Sequence, residues 1–240
     1  MRATAPPGVV WSVLLAELDG VARAPRVLDV GGGSGVLAVP LAERGATVTV
    51  IDASADALAT LRRRAAEAGV DERVEALQGD LDTLLDVVPA DAHDVVLCHS
   101  VLEVVDDPAA AVASLAQTLR PAGALSLVVA NRTAAVLARA LAGQPAQARQ
   151  VLHDPDGRWG AGDAVRRRFD VDGIAALLDA ADLTVEQVHG IRVFADLVPG
   201  SVAEGHPGVV EELHQLELDA CALPPYRDIA AQVHVLARRS

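Results

Sequence analysis

A run of glycines directly after a short strand pattern constrains the fold of this chain more than any other feature. Arg26–Val30 has the sequence RVLDV, a mostly apolar run typical of a strand buried in a parallel sheet, and GGGSG follows at residues 31–35. Glycine has no Cβ, so the backbone can turn tightly there and approach a ligand closely. A helix is predicted over residues 36–44, closed by Gly45. The segment therefore predicts a strand, a binding loop and a helix in succession.

Strand and helix patterns alternate along the rest of the chain. Further strands are predicted at residues 47–51, 74–77, 94–98, 125–129, 184–194 and 231–237. Helices are predicted at residues 9–22, 54–68, 81–88, 107–120, 134–141, 171–181 and 209–220. This order predicts an α/β fold with a doubly wound, Rossmann-like sheet of seven mostly parallel strands, the last one antiparallel.

Only one stretch of the chain shows no clear hydrophobic periodicity. We expect residues 1–240 to form a single domain, in which residues 143–170 are an insertion rich in Gly, Pro, Asp and Arg. Two interpretations stay open for this insertion: a partly ordered cap over the open edge of a site, or a plain surface loop.

Two carboxylates near the glycines distinguish between two possible ligands. Asp52 ends the second predicted strand, about 20 residues after the loop, where an acid accepts hydrogen bonds from ribose hydroxyls. The dinucleotide fingerprint GxGxxG is incomplete, because Val36 stands at its third glycine. Asp29 would repel a pyrophosphate but accepts from the ammonium group of methionine. The pattern therefore favours S-adenosylmethionine, bound by Asp29, Gly31, Gly32, Gly33, Gly35 and Asp52.

Residues after the next strands extend this predicted site. Asp80 follows the third strand, where it either accepts from the adenine amino group or caps a helix, and Ala53 and Leu81 are placed to pack on the adenine faces. His99 follows the fourth strand, at the crevice where open α/β sheets bind ligands. It is a candidate for cofactor contact and for catalysis.

Charge and composition limit the partners. The 240 residues carry a formal charge of −13 and only 2% aromatic residues, which disfavours broad binding to nucleic acid or to an anionic membrane. Two arginine triplets, at residues 62–64 and 166–168, still allow a local basic patch. Cys98 and Cys221 match no metal-ligand spacing, so no metal is expected. Without a signal pattern or a 20-residue apolar run, a cytoplasmic protein without membrane contact is expected.

Several motifs resemble known methyltransferases. VLDVGGGSG, VTVIDAS and LRPAG are similar to the motifs of class I S-adenosylmethionine-dependent methyltransferases. Within that class, the chain from Trp11 onward resembles the tRNA 5-carboxymethoxyuridine methyltransferase group through HSVLEVVDDP, LRPAGALSL, VANRT, GIRVFADL, ELHQLELDAC, PPY and HVLARR. The resemblance implies methyl-ester formation on the side-chain carboxylate of a modified uridine at the tRNA wobble position.

The chain departs from that group at three points. Ala130 replaces an aromatic residue before Asn131, and Val104 replaces a tryptophan. The group also has an upstream basic residue that helps to hold the methionine carboxylate, for which Arg2 is the available arginine. Aromatic side chains contribute about 1–3 kcal/mol per stacked base, so their loss keeps a small carboxylate-bearing metabolite as an alternative acceptor.

The acceptor determines which side chains the reaction needs. A carboxylate is already ionised and needs a cation to orient it, for which Arg192 is the first candidate and Arg168 the second. Asn131 and Tyr226 are candidates for hydrogen bonds near the transferred methyl group. An amine or hydroxyl acceptor would need a base, His99 or Glu103, although Glu103 at a predicted helix start also suits capping.

Three functions are therefore compatible with the sequence. They are carboxyl methylation of a tRNA wobble uridine, O- or N-methylation of a small molecule, and non-catalytic cofactor binding.

Overall fold

A seven-stranded sheet forms the centre of the computed structural model, which describes residues 8–198 and 207–240. The strand order is β3-β2-β1-β4-β5-β7-β6, and β7 runs antiparallel to both of its neighbours, whereas the other pairs are parallel. The strands are β1 Arg26–Val30, β2 Thr47–Asp52, β3 Val74–Gln78, β4 His93–His99, β5 Leu119–Ala130, β6 Leu183–Ile191 and β7 Gln232–Arg239. The predicted doubly wound sheet with an antiparallel last strand is confirmed.

Nine helices are assigned within the described residues. They are α1 Val9–Asp19, α2 Ala38–Glu43, α3 Ala55–Ala68, α4 Leu84–Val87, α5 Pro108–Thr118, α6 Arg132–Leu141, α7 Pro145–His153, α8 Val171–Asp179 and α9 Pro207–Ala220. Within residues 8–198 and 207–240, none of them combines the length and the apolar character that crossing a bilayer requires.

Three elements differ from the predicted ones. The helix predicted over residues 81–88 is reduced to the single turn α4. Strand β5 begins at Leu119 rather than at residue 125, because Leu119 already pairs with His93 of β4 before the register shifts. The segment 143–168, predicted without regular structure, contains α7. Pairing between distant strands decides the start of β5, and packing on α6 supports α7; neither is visible as a local period.

Local capping residues determine where two of the longer helices begin. Ser54 accepts a hydrogen bond from the Ala57 N–H at 3.2 Å, and α3 follows. Asp107 accepts from the Ala109 and Ala110 N–H groups at 2.9 and 3.1 Å, with Pro108 in the first turn of α5. These caps set where each helix leaves the sheet, and therefore where the loops at the carboxyl ends of the strands lie.

Both faces of the sheet are covered by helices. On one face, α1, α2 and α3 pack on the central strands through Leu14, Leu41, Leu61, Val27, Val50 and Leu97. On the other, α4, α5 and α8 do so through Leu84, Leu115, Leu178, Leu28, Val96 and Leu127. Burial of each such side chain contributes about 1.5–3 kcal/mol. A core of Leu, Val and Ala thus compensates for the shortage of aromatic residues.

The loop after β1 generates a prediction about stability. Gly35 and Gly69 both have positive φ, +76° and +70°, but a Cβ on Gly35 would overlap Cδ1 of the fully buried Leu61, whereas a Cβ on Gly69 meets nothing within 4 Å. We expect Gly69→Ala to lower the free energy of unfolding by about 1–2 kcal/mol through backbone strain alone. Gly35→Ala should cost about 1–3 kcal/mol more through overpacking. Urea unfolding measures the free energy of unfolding of both variants. Equal decreases would show that the Leu61 side chain moves aside without cost and would contradict the prediction.

Candidate functional site

The glycine loop takes a conformation that side chains would obstruct. Gly31, Gly33 and Gly35 have φ of 74°, 55° and 76°, in the left-handed region that favours glycine. A Cβ on Gly31 would overlap Val101 Cγ2, and one on Gly32 would overlap the Asp29 carboxyl. A Cβ added to Gly33 would meet nothing closer than an oxygen of Asp52, at 3.7 Å. The loop therefore packs closely on its protein side and keeps room above Gly33.

Asp52 links this loop to the next helix. Its Oδ2 accepts from the Gly33 N–H at 2.9 Å, and its Oδ1 accepts from the Ser54 N–H at 2.8 Å. Each carboxylate oxygen has more than one lone-pair site, so Asp52 can accept further hydrogen bonds from a ligand. Its position at the end of β2 suits hydroxyl donors above the loop.

Asp29 is the buried carboxyl of the site, with 3% of its surface exposed. Burial, and secondly the charge of Asp52, raise its pKa to about 7. At neutral pH the group is therefore divided between its neutral and ionised forms. A cation placed against it would favour the ionised form, so Asp29 suits an ammonium group better than a phosphate.

A cavity of about 440 Å³ lies at the carboxyl ends of β1 to β4. It brings together the predicted residues Gly31, Asp52, Ala53, Asp80 and Leu81, with Ser100, Val101 and Arg166 among its other walls. Asp80 Oδ1 also accepts from the N–H and the hydroxyl of Thr83, at 3.1 and 2.9 Å, so it stabilises a turn as well as lining the cavity. Both roles predicted for Asp80 are thus compatible with its position.

His99 lies at the same edge, at the end of β4. Asp29 is in register with Leu97, so His99, two residues later, faces the same side of the sheet as Asp29. Its Nε2 lies 2.9 Å from Ser126 Oγ. Burial lowers the pKa of His99 to about 4, which keeps the imidazole neutral at physiological pH.

Two predicted substrate residues are occupied by structural contacts. Asn131 donates to the Asp228 and Ala230 carbonyls at 2.9 and 2.8 Å and accepts from the Thr133 N–H at 2.9 Å, which satisfies its amide. It therefore joins the end of β5 to the segment before β7, and a contact of Asn131 with the substrate stays a prediction.

Arg168, the second candidate for orienting a carboxylate, is also held by structural contacts. It forms a bidentate pair with Asp163 at 2.6 and 3.0 Å and donates to the Gly157 carbonyl. Because this pair is buried, opening it would leave Asp163 without its partner, so Arg168 is a structural residue of the loop.

Arg192 and Tyr226 remain accessible. Arg192 follows β6 and pairs with Asp196 at 2.8 Å, both side chains being about half exposed. Tyr226 is exposed and packs on Phe194, with ring centroids 5.9 Å apart. Arg192 lines a separate, mostly apolar cavity of about 310 Å³ against α9. The two residues thus lie at the carboxyl edge of the sheet but outside the 440 Å³ cavity.

Glu103 does not occupy the helix start predicted for it. It lies in a turn after β4, where it accepts from the Ala130 N–H at 2.7 Å, and burial raises its pKa. Its contact supports the end of β5, so the expectation of helix capping is wrong. Arg2 lies outside the described residues.

Several supporting residues have no sequence signal. Arg64 donates to the Ser34 carbonyl at 3.0 Å and supports the glycine loop, and Arg166 lines the cavity while donating to the Val104 carbonyl at 3.1 Å. These contacts join residues 30 and 62 positions apart, which no local pattern reports. Across the described part of the chain, no cluster of three or more His, Cys, Asp and Glu side chains is suited to a metal ion.

Comparison with known proteins agrees with this geometry. Residues 27–123 match the family model described as a methyltransferase domain. The tRNA 5-carboxymethoxyuridine methyltransferase of Escherichia coli K12 is 30% identical over 236 residues, covering 96% of this chain and 87% of that protein. A ubiquinone biosynthesis O-methyltransferase of Xylella fastidiosa is 37% identical over 169 residues, which cover 70% of this chain and 64% of that protein. An S-adenosylmethionine-dependent methyltransferase structure from Mesorhizobium loti superposes with a TM-score of 0.65 at 23% identity. The superposition covers 97% of this chain and 99% of that chain.

The fold, the glycine loop and these relatives define the class. The chain belongs to the class I S-adenosylmethionine-dependent methyltransferases, so it is an enzyme and S-adenosylmethionine is its cofactor. Within that class its sequence resembles the tRNA 5-carboxymethoxyuridine methyltransferase group over nearly its whole length. The prediction of an enzyme is confirmed, and the alternative of non-catalytic cofactor binding is wrong.

The residues present fit this cofactor. The loop packs closely on the protein and leaves open space above Gly33, Asp52 has acceptor sites left for hydroxyl groups, and buried Asp29 suits an ammonium group. We propose that these residues, with Ala53, Asp80 and Leu81 around the adenine, hold S-adenosylmethionine.

The raised pKa of Asp29 generates a prediction about binding. We expect the affinity for S-adenosylmethionine to increase as the pH rises to about 7 and then to level off. Below that pH Asp29 is protonated in the free protein, and an ammonium group requires its ionised form, so binding must release a proton. Titration calorimetry in two buffers of different ionisation enthalpy counts this proton.

Two variants test the assignment of that proton. Asp29→Asn should bind without releasing it. Asp52→Asn should weaken binding and also move the midpoint to lower pH, because the charge of Asp52 contributes to the raised pKa of Asp29. Undiminished proton release by Asp29→Asn would contradict the proposed role.

Proposed function

We propose that this enzyme transfers a methyl group to the side-chain carboxylate of a modified uridine at the wobble position of tRNA, forming a methyl ester. The observation that carries the proposal is the extent of the resemblance to the tRNA 5-carboxymethoxyuridine methyltransferases. The 30% identity runs over 236 residues and so includes the C-terminal half, beyond the cofactor domain matched at residues 27–123.

The proposed reaction places few chemical demands on the protein. S-adenosylmethionine supplies a methyl group on a positively charged sulfur, which makes the thioether a good leaving group. The acceptor carboxylate is ionised at neutral pH, so no general base is needed. Asp29, Asp52 and the loop glycines hold the donor, and the remaining task of the chain is to orient the carboxylate in a site that excludes water.

We assign the orienting cation to Arg192. Its pair with Asp196 is exposed, and exposed pairs contribute about 0–1 kcal/mol, so exchanging Asp196 for a substrate carboxylate costs little. The planar guanidinium suits bidentate binding of a carboxylate. Beside it, the Phe194–Tyr226 pair offers an aromatic surface on which a uracil ring can stack.

The distribution of charge also supports a polyanionic acceptor. The chain carries −13 overall, yet residues 131–168 contain seven arginines and three aspartates. Within this region Arg139 stacks over Trp159 at 4.5 Å, and Arg166 reaches the cavity wall. We propose that residues 143–170 form a cap beside the site whose arginines contact the tRNA backbone.

A small-molecule acceptor is the second candidate. It is supported by the 37% identity to a ubiquinone biosynthesis O-methyltransferase and by the strongly negative net charge. A hydroxyl acceptor would have to lose its proton, and His99 is the imidazole at the carboxyl edge that is placed to accept it.

Labelled cofactor distinguishes the two candidates. Purified enzyme is incubated with labelled S-adenosylmethionine and with tRNA that carries the free 5-carboxymethoxy acid, or with a metabolite extract. We expect label in tRNA that mild base releases, as a methyl ester requires. Label confined to small molecules would overturn the tRNA proposal.

The assignment of Arg192 predicts a specific kinetic defect. Arg192→Gln should raise KM for the tRNA about ten- to hundredfold, because a charge-assisted hydrogen bond contributes about 1.5–3 kcal/mol, while cofactor affinity stays unchanged. Arg63→Gln is the matched control, since Arg63 forms the same kind of exposed i,i+4 pair with Glu67 on α3. Steady-state kinetics with both variants check the prediction, and equal KM values would contradict it.

A further inference from the structure

Four side chains, three of them buried, form a hydrogen-bonded chain that crosses the sheet from the site. His99 Nε2 on β4 lies 2.9 Å from Ser126 Oγ on β5, and the same Oγ lies 3.0 Å from His234 Nε2 on β7. His234 Nδ1 lies 3.2 Å from His189 Nδ1 on β6, and the planes of these two rings are nearly parallel, with an angle of 16° between them and centroids 5.4 Å apart. We call these four residues the histidine relay. Ser126 and His234 are fully buried.

The relay permits only two complete sets of hydrogen bonds when all three imidazoles are neutral. A hydroxyl donates one hydrogen bond and accepts others, so Ser126 must donate to one histidine and accept from the other. A neutral imidazole carries one N–H, so a choice made at Ser126 determines the proton position on every ring. In one set, the protons lie on His99 Nδ1, His234 Nε2 and His189 Nδ1. In the other set, the protons lie on His99 Nε2, His234 Nδ1 and His189 Nε2.

All three histidines are held in the neutral form. Burial lowers the pKa of His99 to about 4 and that of His234 to about 3, with the neighbouring histidines contributing at His234. Burial also lowers the pKa of His189, and the positive charge of Arg227 adds to this effect. The relay is therefore a set of coupled tautomers at physiological pH, and His99 is its end nearest the site.

The chemistry of the acceptor distinguishes the two sets. A carboxylate can only accept a hydrogen bond, so an anionic acceptor requires an N–H on the free nitrogen of His99, which is Nδ1. His99 Nε2 then accepts from the Ser126 hydroxyl, which in turn accepts from His234 Nε2. His234 Nδ1 is left as an acceptor, so the His189 proton lies on Nδ1.

We propose that Ser126, His234 and His189 act as positioning residues that hold His99 with its proton on Nδ1, so that this N–H donates a hydrogen bond to the acceptor carboxylate. The inference rests on the proposed function, in which the acceptor is an anion. His99 is partly exposed at the carboxyl edge, and the next residue, Ser100, lines the 440 Å³ cavity. Its Nδ1 makes no hydrogen bond with any residue that the structure describes. A neutral donor orients the ionised carboxylate without forming a buried ion pair.

Nitrogen-15 NMR of histidine-labelled enzyme near pH 7 reads the tautomers directly and needs no acceptor. We expect protonated Nδ1 on His99 and His189 and protonated Nε2 on His234, with single-histidine variants supplying the assignments. The reversed set would overturn the proposal, because His99 Nδ1 would then be an acceptor suited to a hydroxyl substrate. Three independent tautomer mixtures would overturn it as well.

Variants at Ser126 separate positioning from packing. Ser126→Ala should release the His99 tautomer and raise KM for tRNA with the free 5-carboxymethoxy acid about tenfold with little change in kcat, as expected for one lost hydrogen bond. Ser126→Thr keeps the hydroxyl and should restore both readouts, and Ser114→Ala on α5 controls for loss of a serine outside the relay. If the Ser126→Ala enzyme is less stable but keeps the His99 tautomer and the KM for tRNA, the relay only stabilises the fold and the proposal is wrong.

The two proposals fail in different ways. Reversed tautomers together with base-labile label in tRNA would overturn the relay and leave the proposed function standing. The expected tautomers without any methylation of tRNA would overturn the proposed function, and with it the acceptor assigned to His99.

Discussion

The site depends on one carboxylate. Asp52 accepts from the Gly33 N–H with one oxygen and from the Ser54 N–H with the other, so it joins the glycine loop to the start of α3. Its charge also contributes to the raised pKa of Asp29, on the neighbouring strand. The same side chain therefore shapes the loop, adjusts the second acid and keeps lone pairs available for the cofactor.

Electrostatics divide the carboxyl edge of the sheet into two parts. At the cofactor end, two acids suit the ammonium and hydroxyl groups of S-adenosylmethionine. At the other end, Arg192 and the arginines of residues 131–168 offer positive charge to the proposed anionic acceptor. Between these ends lies His99, kept neutral by burial. A neutral group at this position separates the acidic and basic parts of the site without adding a charge that would need its own partner.

The positions of candidate site residues can be predicted from the sequence where they depend on local geometry. A strand that ends in glycines must turn, and parallel strands bring their ends to one edge, so Gly31, Asp52, Ala53, Asp80 and Leu81 line one cavity as a group. For Asn131 and Arg168 the prediction rests on residue type and not on local geometry. Their partners, Asp228 and Ala230 for one and Asp163 for the other, are set by how loops pack, and a satisfied amide or a buried ion pair has no signature in sequence.

The sequence by itself determined the order of strands and helices, the helix caps at Ser54 and Asp107, and the choice of S-adenosylmethionine over a dinucleotide. These follow from periodicity, capping chemistry and charge within short segments. Only the tertiary structure brought Ser126, His234 and His189 into line behind His99, and only it extended β5 back to Leu119. The physical reason is that strand register sets which distant residues are neighbours, and the hydrogen bonds that fix register join backbone groups common to every residue.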